Sequence, residues 1–339
     1  MKRKLLIAFC ILLAILSSCK KNADTPSSAT KEVEKAIPVK EGVDSEVNIP
    51  SGEFLEESYE VESGTMMTET TYAIVPLPDI VIPEKEIPSC FFADSIEYTF
   101  DPVERTYTVS GSKRDITGPL FIPSEIDGYP VTRIGDEAFK DCTGLKGDVI
   151  LPASVVSIGD YAFSGCTGLD GVLLLGEGLK QIGEGAFSDC VNLQGNVFLP
   201  STLEVLGAKA FYGCTGLDGN LLIGEGLEEI GDRAFYGASG LKGDIVIPQS
   251  VKSIGDEAFA HCIGLGSSLV LTEGLEEIGE RAFLECTGLK GDLLFPKSLK
   301  IIGNGAFKDC NNLDGFCLFQ SDEVSYVPSS FEGTELKFF

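Results

Sequence analysis

A chain of 339 residues with 52 acidic against 26 basic side chains carries a net charge of −26. That excess argues against nucleic-acid backbones and anionic membrane surfaces as partners, since both would repel it. The 43% of hydrophobic residues can build a core, while 39 glycines and no tryptophan suit many turns around modest core positions.

Residues 1–18 read as a secretory leader. Lys2, Arg3 and Lys4 form a positive start, and the apolar run Leu5 to Leu16, at about 1.5 Å per residue, is too short to span a bilayer comfortably. The end of that run, Leu16-Ser17-Ser18-Cys19, resembles a bacterial lipobox. The resemblance implies cleavage before Cys19 and acylation of it, so that two or three chains anchor the protein stably where one would not. An outer-membrane lipoprotein is therefore expected, turned to the cell surface. The stretch Lys20 to Asp24 lacks a dense acidic run, so a periplasmic orientation stays open.

Residues 19–89 comprise the lipidated Cys and a tether. From Lys20 to Glu69 the chain is acidic, rich in Ser, Thr and Pro, and has no sustained period of 2 or 3.6, so it buries too little to offset its ordering entropy. The apolar, Pro-punctuated stretch Ala73 to Ile82 reads as extended, either a stiff spacer or a segment that docks on the folded part. Residues 90–133 are assigned to a cap and first turn. In them Ile96–Phe100 and Thr106–Ser110 read as a hairpin closing the exposed end of a core.

Residues 134–339 repeat. Ile134-Gly135-Asp136-Glu137-Ala138-Phe139 recurs seven times at steps of 24 without insertion, ending at Ile302–Phe307, with a worn ninth copy at Tyr326–Phe331. Within a unit the apolar positions are Leu169, Leu173, Leu175, Leu179, Ile182, Ala186 and Phe187. Leu173-x-Leu175 has period 2 and predicts one short strand per turn, and Glu184 to Phe187 predicts one helical or 3₁₀ turn with an acid at its start. Stacked units then share one continuous core, and about nine turns at about 4.8 Å each reach about 40 Å. Pro152, Pro200, Pro248 and Pro296 stand 48 residues apart, which points to growth by copying a two-turn unit.

These units are similar to the BspA-like leucine-rich repeats. The similarity runs from about Glu97 onward and rests on the Ile-Gly-x-x-Ala-Phe-x-x-Cys core and on Ile122-Pro123 through Ile134-Gly135. It implies a right-handed solenoid of β and 3₁₀ segments. It also implies a non-catalytic, adhesin-like surface protein whose partner is a host-matrix or envelope protein. A scaffold lipoprotein binding an envelope component or glycan is the alternative, and a carbohydrate-active enzyme a remote one. The chain departs from the pattern by one extra residue before the strand, and it lacks the Asn ladder of other leucine-rich repeats.

Candidate chemistry falls into columns. Cys142, Cys166, Cys190, Cys214, Cys262, Cys286 and Cys310 share one position, with Ala238 in the gap, and read as buried free thiols. No CxxC pair exists and His261 stands alone, so neither a metal nor any other cofactor is expected. Asp136, Asp160, Glu184, Asp232, Asp256 and Glu280 share the position after Gly, with Ala208 and Asn304 as exceptions, and read as caps of the helical turns, with a column of cation sites as the sharper alternative. The candidate binding face is the strand position that should point outward: Ile150, Leu174, Phe198, Leu222, Val246, Val270, Leu294 and Leu318. Alternation calls for polar residues there if water covers the face, so an unbroken apolar stripe must be covered or used.

Overall fold

The computed structural model describes residues 95–338 apart from Ser267. The leader, Cys19, the tether and the Ala73–Ile82 stretch lie outside the described residues.

The described part is a β-solenoid in which every 24-residue step lays one turn on the next. The strand expected from Leu173-x-Leu175 is present in each turn: β3 (Gly118–Phe121), β6 (Leu145–Ile150), β8 (Leu173–Leu174), β10 (Val197–Leu199), β12 (Leu221–Ile223), β14 (Ile245–Ile247), β16 (Leu269–Leu271), β18 (Leu293–Phe295) and β20 (Phe316–Phe319). Neighbours pair in parallel and in register, as in Phe198 opposite Leu222. These pairings come in short groups, β3-β6-β8, β10-β12, β14-β16 and β18-β20 with β21 (Lys337–Phe338).

The unbroken sheet is elsewhere. Each turn holds a second strand, not expected from the sequence, at the Ile-Gly motif: β5 (Tyr129–Ile134), β7 (Ser157–Ile158), β9 (Gln181–Ile182), β11 (Val205–Leu206), β13 (Glu229–Ile230), β15 (Ser253–Ile254), β17 (Glu277–Ile278) and β19 (Ile301–Ile302). With the hairpin β1 (Ile96–Asp101) and β2 (Thr106–Ser112), and with β4 (Glu125–Ile126), these make one eleven-stranded sheet. The hairpin is antiparallel, and β2 joins β5 in parallel, so the cap extends this sheet and covers its first edge.

The expected helical turn is not a helix. In the first full copy, the N–H groups of Glu137, Phe139 and Asp141 donate to Asp160, Ala162 and Ser164 of the next turn at 2.7–2.8 Å. Those of Ala138, Lys140 and Cys142 donate three residues back, to Gly135, Glu137 and Phe139. A true helix would bond its donors internally and leave none for the neighbouring turn. The alternation needs left-handed backbone twice per turn. It is found at Glu137, Tyr161, Lys209, Arg233, Glu257 and Arg281 and again four residues later, where Gly165, Gly213 and Gly237 take it without strain. Only the last copy closes as a 3₁₀ turn, Pro328–Phe331.

The core lies between the two strand columns. Phe139, Phe163, Phe187, Phe211, Phe235, Phe259, Phe283 and Phe307 are each fully buried. Their rings stack 5.0–5.3 Å apart within 12° of parallel, and Phe331 continues the stack at 5.6 Å from Phe307. The 4.8 Å strand spacing sets that separation, and burying each ring contributes about 1.5–3 kcal/mol before entropy.

Candidate binding surfaces

The proposed face is a real column. In β10, β14 and β18 the residues on either side of Phe198, Val246 and Leu294 are buried, so the middle side chain points out of the solenoid. Pairing sets Ile150 beside Leu174, Phe198 beside Leu222, Val246 beside Val270 and Leu294 beside Leu318. None of the eight is buried, and Val246, Leu294 and Leu318 are 44%, 47% and 36% exposed. Eight rungs at about 4.8 Å make an apolar stripe about 35 Å long.

The acidic column does something other than capping its own turn. Oδ1 of Asp136 accepts the N–H of Asp160 at 3.2 Å, Asp160 that of Glu184 at 2.8 Å, Asp232 that of Asp256 at 2.8 Å and Asp256 that of Glu280 at 2.7 Å. Each of these four aspartates therefore ties its turn to the next. A second such ladder runs through Asp148, Asn196, Asp244 and Asp292, whose Oδ1 atoms accept N–H groups of Val172, Asn220, Ser268 and Phe316 at 2.7–3.0 Å. The chain thus has side-chain ladders of its own, carried mainly by aspartate. Among the described residues no group of three or more His, Cys, Asp or Glu converges as a metal site.

The cysteines form a third column. All eight described thiols are free and buried. Sγ of Cys166, Cys190, Cys214, Cys262, Cys286 and Cys310 each donates to a Phe carbonyl 27 residues earlier at 2.9–3.1 Å. Burial pushes Cys214 up to about 12 and Cys166, Cys190 and Cys262 in the same direction, which favours their protonated form.

One cluster escaped the sequence reading because it crosses columns. Tyr212 and Tyr236 stack at 5.0 Å, and His261 meets Tyr236 edge-on at 5.1 Å. Beside them Glu257 accepts from Arg233 Nε at 2.8 Å and lies 3.6 Å from Arg281, and the Arg233 hydrogen bond holds its carboxyl below the usual range. Only the 24-residue register makes these residues neighbours.

The model of the BspA type leucine rich repeat region matches residues 132–266 and 228–339, in six copies. Among solved structures the chain is similar to the leucine-rich repeat protein TpLRR of T. pallidum, at 31% identity and a TM-score of 0.51, covering 68% of this chain and 91% of that one. A leucine-rich repeat protein from Bacteroides ovatus matches at 24% identity and a TM-score of 0.49, over 74% of this chain and 76% of that one. No curated protein matches. The matched repeats span well over half of the sequence, and with the ladders above they establish that the chain belongs to the BspA-type leucine-rich repeat family.

Proposed function

We propose that this protein is an exported lipoprotein, anchored through Cys19 in the outer membrane and turned to the cell surface, which binds another protein through its apolar column and performs no catalysis. One observation carries the reading: the outward position of eight successive strands is apolar without exception and stays open to solvent. A stripe of that length is dearer in water than scattered surface leucines, and a protein partner is what removes it from solvent. The repeat fold supports the choice, since a solenoid presents long regular faces suited to extended partners.

The test is capture of extracellular-matrix proteins and of isolated envelope fractions by the protein and by a Phe198→Ser, Leu222→Ser variant. Both sites already face solvent, so the melting temperature should hold while capture falls at least tenfold. Unchanged capture by a folded variant would show that the stripe is not the binding face. Protease shaving of intact cells should release the solenoid, and resistance would place it on the periplasmic side.

A further inference from the structure

The aspartate ladder beside the long sheet breaks in the middle, and the break coincides with a depression of the surface. At the fourth rung the acid is replaced by Ala208. One rung earlier Glu184, a methylene longer than aspartate, turns away: its Oε1 accepts from Tyr161 Oη at 2.6 Å and from Lys209 Nζ at 3.4 Å. Two successive N–H groups, of Ala208 and Asp232, therefore have no acceptor among the described residues; the same N–H is bonded at Asp160, Glu184, Asp256 and Glu280, and is left open once more at Asn304, after the second glutamate of the column. Around them opens a shallow cavity of about 620 Å³ whose lining includes Glu204, Val205, Ala208, Glu228, Glu229 and Asp232.

We infer that this gap is a second binding site, which seats an extended basic peptide segment of a partner protein. The two N–H groups are left to water, and the missing carboxylate leaves room for a ligand's acceptors to take its place. A ligand carboxylate would be repelled by the surrounding acids, whereas peptide carbonyls are neutral acceptors spaced along an extended backbone. The rim then selects the side chains. Glu204 is held by Lys180 at 2.9 Å and Glu228 by Lys252 at 3.1 Å, while Glu229 has no cationic partner among the described residues. A lysine or arginine flanking the seated carbonyls supplies it. Val205 and the Ala208 methyl give the stem of such a side chain an apolar bed. The site lies on the long sheet and does not depend on the apolar stripe of the other strand column.

The test uses the ¹⁵N-labelled protein and an extended acetylated Gly-Lys-Gly-Lys-Gly-Lys amide peptide at moderate salt. Saturable shifts of the Ala208 and Asp232 amides are expected. Ala208→Asn restores the rung without changing the charge, so it should slow hydrogen exchange of the Asp232 amide and weaken the peptide at least tenfold. Glu229→Gln should weaken it severalfold with the fold intact. No shift at the two amides would overturn the proposal, whatever happens elsewhere on this acidic surface. So would unchanged affinity in a Ala208→Asn variant whose Asp232 amide has become protected. A neutral oligosaccharide that shifts these amides where the peptide does not would assign the gap to a different ligand.

Discussion

At the residue scale one pairing recurs along the stack, that of a thiol with a phenylalanine carbonyl. Cysteine fits because the space beside each stacked ring admits a small apolar group, and Sγ can still satisfy the second lone pair of a buried carbonyl. Ala238 fills the same space and forgoes the bond. Burial raises Cys166, Cys190, Cys214, Cys262, Cys286, Cys310 and Cys317 above the ordinary thiol range. A group raised in the folded state holds its proton where the unfolded chain has lost it. The stability it contributes is complete below the unfolded value of about 8.5 and is lost as pH rises towards about 12. The urea midpoint should therefore be flat between pH 7 and 8 and fall steadily above about pH 9. Under native conditions at pH 8 the peptides holding these residues should resist iodoacetamide and react fully in guanidinium. Labelling of folded protein at Cys214 would contradict the sealed ladder.

At the scale of the element, the aspartate ladder explains why aspartate and not glutamate suits the rung. Asp256 both donates its N–H to Asp232 and accepts that of Glu280. Asp256→Ala removes one acceptor at an exposed site and should cost about 1 kcal/mol, while Asp256→Asn keeps Oδ1 and should cost less than half of that. Equal losses in a denaturant melt would mean that charge, not geometry, holds the rung. The ladder also shows where sequence reading stops. The repeat, the phenylalanine stack and the first strand were legible because their apolar residues recur with a fixed step. The second strand was not, because it is two residues long and its outward position runs through Arg133, Ser157, Gln181, Val205 and Glu229, too mixed and too brief to show period 2. The acids were legible as a column, yet their partners lie one turn on, and Gly-x-x-Ala-Phe suggested a helix whose donors in fact alternate between turns. The apolar stripe could be placed residue by residue; the gap at Ala208 looked like a mere exception until the unbonded amides appeared beside it.

For the whole molecule, the 48-residue period is structural as well as ancestral. Prolines and glycines alternate along one edge of the stack, Pro152, Gly176, Pro200, Gly224, Pro248, with Thr272 before Pro296. At two of the three positions between prolines the backbone leaves room only for glycine: a Cβ on Gly176 would come within 2.8 Å of Ala153 backbone, and one on Gly224 within 2.6 Å of Ser201. The same alternation places left-handed glycines at Gly147, Gly195, Gly243 and Gly291 and the rungs Asp148, Asn196, Asp244 and Asp292 beside them. Turns are thus interchangeable in pairs and not singly. Deleting residues 201–248 joins Pro200 to Gln249, a junction of the kind already present at Pro248, and keeps every column in register. Deleting 201–224 sets Pro200 directly against Pro248 and removes the intervening glycine. Because stability in a solenoid is a sum of turns and their interfaces, the two-turn deletion should unfold in one cooperative step with its m-value reduced by roughly a fifth, in proportion to surface lost. The one-turn deletion, though it removes less, should have the lower denaturant midpoint. If the shorter deletion proved the more stable, the pairwise alternation would be a relic of copying and not a packing rule.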